Sequence, residues 1–141
     1  MKLALLALPI CKPTMAPQLI SLASLAKRQG VLADLMSELA KSFMQAGAKV
    51  SNSVAVIGPS ICGKCYEVGQ DRTDLFAQKL PAAISDSTHL QLAAGVAHVL
   101  GNLGFAIMQM PGCNFEDENL FSFRRSGGGP TGRGALVAII N

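Results

Sequence analysis

One stretch, residues 54–69, constrains the fold more than any other: Val-Ala-Val-Ile-Gly-Pro-Ser-Ile-Cys-Gly-Lys-Cys-Tyr-Glu-Val-Gly. Val54, Val56 and Ile57 are β-branched and Ala55 is small, so the run predicts a strand buried on both faces. Gly58-Pro59 ends it, because glycine opens backbone angles closed to other residues and proline cannot donate to a ladder. A loop carrying Cys62 and Cys65 follows, and Gly69-Gln70-Asp71 leads into a helix that Asp71 is placed to cap. Strand, tight turn, thiol-bearing loop and helix start in this order are a common way to hold reactive groups at a sheet edge.

A chain of 141 residues makes one domain and buries roughly two thirds of its unfolded surface. Half the residues are hydrophobic and 15% are charged, which excludes a disordered chain. The net charge of +3, from 12 basic and 9 acidic residues, is too mild for a nucleic-acid binder, and no basic patch is interleaved with aromatics. Basic residues cluster at Lys27-Arg28 and at Arg124, Arg125 and Arg133, a pattern suited to a small anion. Four cysteines in a chain with this much apolar residue do not form a disulfide framework, so a reducing, cytoplasmic setting is expected. Met1-Lys2 and the apolar run Leu3 to Ile10 resemble the start of a signal peptide, with Cys11 just after. That run is too short to cross a bilayer and lacks a small-residue cleavage site, so a strand or an unstructured lead-in is preferred and no membrane partner is expected.

Taken in order, residues 1–30 contain Pro9, Pro13 and Pro17, with one strand at Lys2 to Leu8 and a short helix over Leu19 to Lys27. Val31 to Ala46 is a helix, with Leu32, Leu35, Met36, Leu39, Phe43 and Met44 inward and Asp34, Glu38 and Lys41 outward. Gly47 is its C′ residue. Asp71 to Leu80 predicts a helix with Leu75 and Phe76 inward, and His89 to Asn102 a second. Phe105 to Met110 reads as a buried strand, Leu120 to Arg124 as a short strand or extended piece, Gly127 to Gly129 as a mobile loop, and Ala135 to Ile140 as a final buried strand. Strands alternating with helices set the class as α/β.

Three groups bear on chemistry. Cys62-x-x-Cys65 suits a zinc knuckle only if two further ligands converge, and Cys11, Cys113, His89 and His98 offer no second pair at short spacing. A thioredoxin-like pair belongs at a helix start, whereas several residues separate Cys65 from the next helix. The preferred reading is reduced thiols lining a pocket or packed beneath it. His89 is expected near an exposed helix N-terminus and His98 as a satisfied side chain within the helix. Arg124 and Arg125 beside the triple glycine, with Arg133 after Thr131-Gly132, read either as anion-binding forks or as a solvated hairpin paired with Glu116, Asp117 and Glu118.

The order Ile57-Gly58-Pro59-Ser60-Ile61, then Cys65-Tyr66-Glu67-Val68-Gly69, then Cys113, Leu120-Phe121-Ser122-Phe123-Arg124-Arg125-Ser126-Gly127 and Thr131-Gly132-Arg133 resembles the YfiH/laccase-domain family, also called multicopper polyphenol oxidase or purine nucleoside phosphorylase. The resemblance covers about Val31 to Asn141 and implies layered mixed sheets with flanking helices. It also implies phosphorolysis of purine nucleosides, deamination of adenosine or, in the older assignment, polyphenol oxidation. Implied partners are a purine nucleoside and phosphate, and the implied cofactor is zinc, or copper in older descriptions, held by two histidines and a cysteine. Those ligands belong to an N-terminal half with Ala-Asp-Cys and His-Ala-Gly-Trp-Arg-Gly. Here the place before Val31 reads Leu25-Ala26-Lys27-Arg28-Gln29-Gly30, and Cys11 is not preceded by Ala-Asp, so none of the three is carried over.

The expectation is therefore an N-terminally truncated relative, with 1–30 a divergent segment and 31–141 the C-terminal part of the domain. It is expected to be inactive alone and to bind no metal. Cys62, Arg124, Arg125 and Arg133 are the expected substrate-binding residues, no catalytic residue is assigned, and self-association through exposed sheet edges is expected. Two other readings remain at this level: a non-catalytic module holding an anion in the arginine loop, and a small secreted thiol protein if Leu3 to Ile10 is a cleaved signal.

Overall fold

The computed structural model describes residues 2–9, 20–25, 31–45, 47–132 and 134, with side chains from residue 36 onward apart from Leu39. Two strands open the chain, β1 (Lys2–Pro9) and β2 (Ile20–Leu25), followed by helix α1 (Val31–Gln45) and strand β3 (Ser53–Ile57). Helices α2 (Gln70–Lys79) and α3 (Leu92–Asn102) then lead to β4 (Ala106–Gln109). The strands form one mixed sheet in the order β2-β1-β3-β4. β1 is antiparallel to both its neighbours, with Leu5 opposite Ile57 and Pro9 opposite Ser53. β3 and β4 are parallel, Val54 facing Ala106 and Ile57 facing Gln109. Parallel neighbours need a crossover, and α2 and α3 supply it. The class is α/β with a mixed sheet and flanking helices, as expected.

β3 is an interior strand, but its burial alternates: Ser53, Ala55 and Ile57 are buried while Val54 and Val56 are half-buried. The expectation of burial on both faces is corrected, because among the described residues the helices pack on the face of Ala55 and Ile57. On that face Met36, Ala40 and Phe43 from α1 meet Val96 and Leu100 from α3 and Phe105 at the head of β4. The Phe43 and Phe105 rings lie 5.6 Å apart and tilted by 49°, worth about 0.5–1.5 kcal/mol beyond area burial. β4 is not a buried strand. Its residues are all exposed, Met108 at 57%, because it forms the open edge of the described sheet.

Local signals explain the helix ends. Gly47 has φ 87°, its N–H donates to Met44 O and the Ala48 N–H to Phe43 O, the Schellman arrangement that needs a left-handed C′ residue. α2 begins after Gly69 at φ 85° with no side-chain cap, so Asp71 contributes only through the helix dipole. Met44 and Leu75 are exposed, at 46% and 42%, rather than inward, while Phe43 and Phe76, each one position away, fill the core. α3 starts three residues later than expected, because His89 and Leu90 pair with Glu67 and Ile84 in isolated bridges. The segment expected as a helix over Leu19 to Lys27 is strand β2 from Ile20 to Leu25. Its apolar spacing fits alternation as well as a helical face, and β1 offers a ladder. The first strand, expected at Lys2 to Leu8, is β1.

Of the two forms expected for Leu120 to Arg124 the strand is absent: Phe121 and Ser122 have no regular structure, and Phe123 and Arg124 enter a turn. Arg125 ties this segment to the loop before it: Nη1 donates to the carbonyls of Asn114, Phe115 and Asp117, at 2.7, 3.1 and 3.1 Å, and Nη2 to Leu120 at 2.6 Å. These oxygens are gathered around one guanidinium rather than laid along a ladder. The 127–129 glycines, expected as a mobile loop, close a knit turn in which Gly127, Gly128 and Gly129 donate to Arg124, Phe123 and Ser126. The strand expected at Ala135 to Ile140 lies outside the described residues. No described helix is long and apolar enough to cross a membrane.

Two glycines of α3 should respond with opposite signs. A Cβ on Gly95 would stand 2.7 Å from Ala83 Cβ and 2.8 Å from Leu80 Cδ2, whereas one on Gly101 meets only Ile107 at 3.9 Å. Helix propensity favours alanine by about 1 kcal/mol at either place, and overpacking costs about 1–3 kcal/mol where there is no room. Urea denaturation should show Gly101→Ala stabilised and Gly95→Ala destabilised. Arg125→Lys, which keeps the charge but loses the fork, should expose residues 114–129 to limited proteolysis with little change in Tm.

Candidate functional site

The parallel β3–β4 pair carries the site at its C-terminal end. Pairing continues past the strands: the Met110 N–H donates to Ile57 O, Ser60 bridges Cys113, and the Asn114 N–H donates to Ser60 O. The loop leaving β3 and the loop leaving β4 therefore lie side by side. Each begins with a tight turn. Cys62 O accepts the N–H of Cys65 and of Tyr66, and Cys113 O accepts the N–H of Glu116 and of Asp117.

These turns bring together side chains that are far apart in sequence. The sulfurs of Cys62, Cys65 and Cys113 and a carboxylate oxygen of Glu116 all lie within 4.8 Å of one another. The Cys62 N–H donates to Cys113 Sγ at 3.3 Å, and Cys65 Sγ donates to Glu116 Oε1 at 3.5 Å. Burial opposes ionisation of Cys62, but contacts with the Cys113 and Cys65 thiols and the Lys64 and Cys65 N–H groups outweigh it, so its thiol is more acidic than usual. Cys65 is pushed up to about 12, first by burial and then by its contacts with Cys62, Cys113 and Glu116. The donors are soft sulfurs plus one carboxylate, a set that suits a tetrahedral cation. Sequence reasoning sought a second cysteine or histidine pair at short spacing and so passed over Cys113-x-x-Glu116, in which a carboxylate takes the fourth place.

Beside this cluster is a cavity of about 480 Å³. Ile61 and the buried Ser122 line it, with Tyr66, Phe123 and Arg124 and the backbone of Gly127 and Gly128. The Arg124 guanidinium stands 5.3 Å from the Tyr66 ring centroid and its Nη2 donates to Glu67 O at 2.7 Å. Cation–π contact and one carbonyl thus orient it, with further donors on the same fork. Gly127 and Gly128 have φ 63° and 85°, which lets the backbone turn tightly along the cavity wall.

Of the expected substrate-binding residues, Arg124 lines the cavity, Cys62 belongs to the adjoining cluster, and Arg125 is turned to four backbone carbonyls. Arg133 lies outside the described residues, as do Cys11, Lys27 and Arg28. His89 is only half exposed: its Nδ1 sits 2.9 Å from both Asp86 Oδ1 and Thr88 Oγ1. The Asp86 carboxyl is held below its usual range first by the Thr88 N–H and then by the His89 ring. His98 Nε2 is 3.0 Å from Asn102 Nδ2. Neither imidazole joins the cysteine cluster.

Comparison with known proteins shows the family and the fold. The chain is 33% identical over 111 residues to a purine nucleoside phosphorylase of Streptomyces coelicolor, covering 75% of this chain and 46% of that protein. It is 33% identical over 117 residues to one from Corynebacterium glutamicum, covering 79% and 47%. The chain thus spans about half the length of the relatives it matches. The crystal structure of Bacillus licheniformis hypothetical protein YfiH superposes with a TM-score of 0.70 at 18% identity, over 90% of this chain and 50% of that one, and shows a shared fold. The family model for multi-copper polyphenol oxidoreductase laccase matches residues 23–141, and the chain belongs to that family.

Proposed function

We propose that this chain supplies the nucleoside-binding side of a purine nucleoside phosphorylase site and does not turn over by itself. The observation that carries this reading is Arg124, which lines the cavity with Tyr66 and Phe123 and is held over the Tyr66 ring at 5.3 Å. In phosphorolysis a phosphate oxygen forms a bond to ribose C1′ as the C1′–N9 bond breaks, and the leaving purine takes up a proton. A guanidinium fork holds phosphate bidentately, aromatic faces take the purine, and the Ser122 hydroxyl at the cavity wall suits a ribose or phosphate oxygen. The relatives named purine nucleoside phosphorylase support the substrate class. The arginine favours phosphorolysis over deamination of adenosine, which has no use for a phosphate fork.

The metal expected for the family, on two histidines and one cysteine, does not fit this chain. It has two histidines in all, His89 engaged by Asp86 and Thr88 and His98 by Asn102. The residues that remain bind and orient, which is why turnover is not expected.

A second reading, a module that holds an anion in the arginine loop without chemistry, rests on the same Arg124. Isothermal titration with inorganic phosphate and inosine separates the two. Under the first reading phosphate and nucleoside bind and each tightens the other, while phosphate-dependent inosine cleavage stays at background. Phosphate binding indifferent to inosine supports the second, and turnover by the chain contradicts the first. Arg124→Ala should weaken phosphate binding about ten- to a hundredfold, since a hydrogen bond to a charged group is worth about 1.5–3 kcal/mol.

A further inference from the structure

We propose that Cys62, Cys65, Cys113 and Glu116 bind one zinc ion, which clamps the loop after β3 to the loop after β4. The site uses neither histidine and is distinct from the two-histidine, one-cysteine centre expected for the family. It rests on no reading of what the neighbouring cavity binds.

The first support is distance. A tetrahedral zinc with Zn–S near 2.3 Å and Zn–O near 2.1 Å sets its donors roughly 3.6–3.8 Å apart, and the four donor atoms already lie within 4.8 Å of one another. Closing that difference takes side-chain adjustment of about an ångström. The second support is repetition. Both ligand pairs are spaced by two residues, Cys62-x-x-Cys65 and Cys113-x-x-Glu116, and each lies on a turn whose first carbonyl accepts the third and fourth following N–H groups. Such a turn presents its first and fourth side chains on one side.

The third support is the frame around the donors. The Ser60–Cys113 bridge and the Asn114 N–H donating to Ser60 O fix the turns against each other by backbone, so the donors are gathered before any ion arrives. The Cys62 N–H donating to Cys113 Sγ is the outer hydrogen bond a thiolate ligand needs. A long thiol-to-carboxylate contact from Cys65 to Glu116 joins the two ligand pairs. Three sulfurs select a soft cation, and the carboxylate favours zinc over cuprous ion. Four protein ligands close the coordination shell, so the ion holds structure rather than activating water. Binding releases the thiol protons to solvent and leaves a net charge of −2, with Lys64 in the first turn to offset part of it.

The clamp acts on the cavity, because Ile61 and Tyr66 flank one ligand pair and Asn114 follows Cys113. The test is elemental analysis of the full chain, expressed with zinc and purified under a non-chelating reductant, together with cobalt substitution. The expected result is one zinc per chain and thiolate-to-cobalt charge-transfer absorption. Glu116→Gln should keep that absorption but lose metal to a chelator at least about tenfold more readily. Cys113→Ser should lose the metal, and stripping zinc from the unaltered chain should open residues 113–129 to protease. The proposal is overturned by substoichiometric zinc with all three thiols open to alkylation, by a cobalt spectrum without the thiolate band, or by a disulfide among these cysteines in zinc-replete protein. One zinc per chain retained in Cys113→Ser also overturns it. Should Cys113→Ser fail to fold, the zinc content of the unaltered chain and the Glu116→Gln competition decide.

Discussion

The parallel pairing of β3 with β4 is the interaction on which the rest of the molecule depends. Four residue pairs, from Val54–Ala106 to Ile57–Gln109, set the register, and the Ser60–Cys113 bridge extends it into the loops. A one-residue slip would turn Ala55 and Ile57 away from the helices. It would also separate the two turns whose side chains form the cysteine–carboxylate cluster. Core packing and site geometry are therefore set by one ladder.

The helical layer enforces that register from one side. Phe43 of α1 against Phe105, and Val96 and Leu100 of α3, leave room above the sheet only for the small or branched side chains Ala55 and Ile57. Gly95 lets α3 approach Ala83 and Leu80 where any larger residue would collide. At the edge of the described sheet β4 leaves Met108 and Ile107 exposed, and among the described residues the core lies on the helical face. Beyond the strands the device changes. Among the described residues no strand runs through 114–129, and turn hydrogen bonds together with one arginine drawing in four carbonyls hold it.

The sequence makes the scaffold legible where a single periodicity dominates. The 3.6-residue spacing around Met36 and Phe43 and the glycine at 47 locate α1 and its end, because both signals are local. The β-branched run at 54–57 locates β3, but not which side of it is covered, since that depends on distant helices. Residues 20–25 carry a pattern compatible with helix or strand, and the partner strand β1 decides between them. The arginine loop is misread for a different reason. Nothing in Leu120 to Arg124 announces that Arg125 folds back onto the Asn114, Phe115, Asp117 and Leu120 carbonyls.

The site divides in the same way. Cys62 and Cys65 are visible as a pair and Arg124 as an anion fork, but their union with Cys113 and Glu116 is a product of strand register across some fifty residues. Glu116 escapes notice because one acidic residue among Glu116, Asp117 and Glu118 looks like solvated charge. Native-state hydrogen exchange at the amides of Cys65, Tyr66, Glu116 and Asp117 tests most directly whether the two loops form one unit set by the β3–β4 ladder. The account predicts a shared opening free energy for all four, also shared with the β3 and β4 amides. Protection in one turn while the other exchanges like free chain would contradict it.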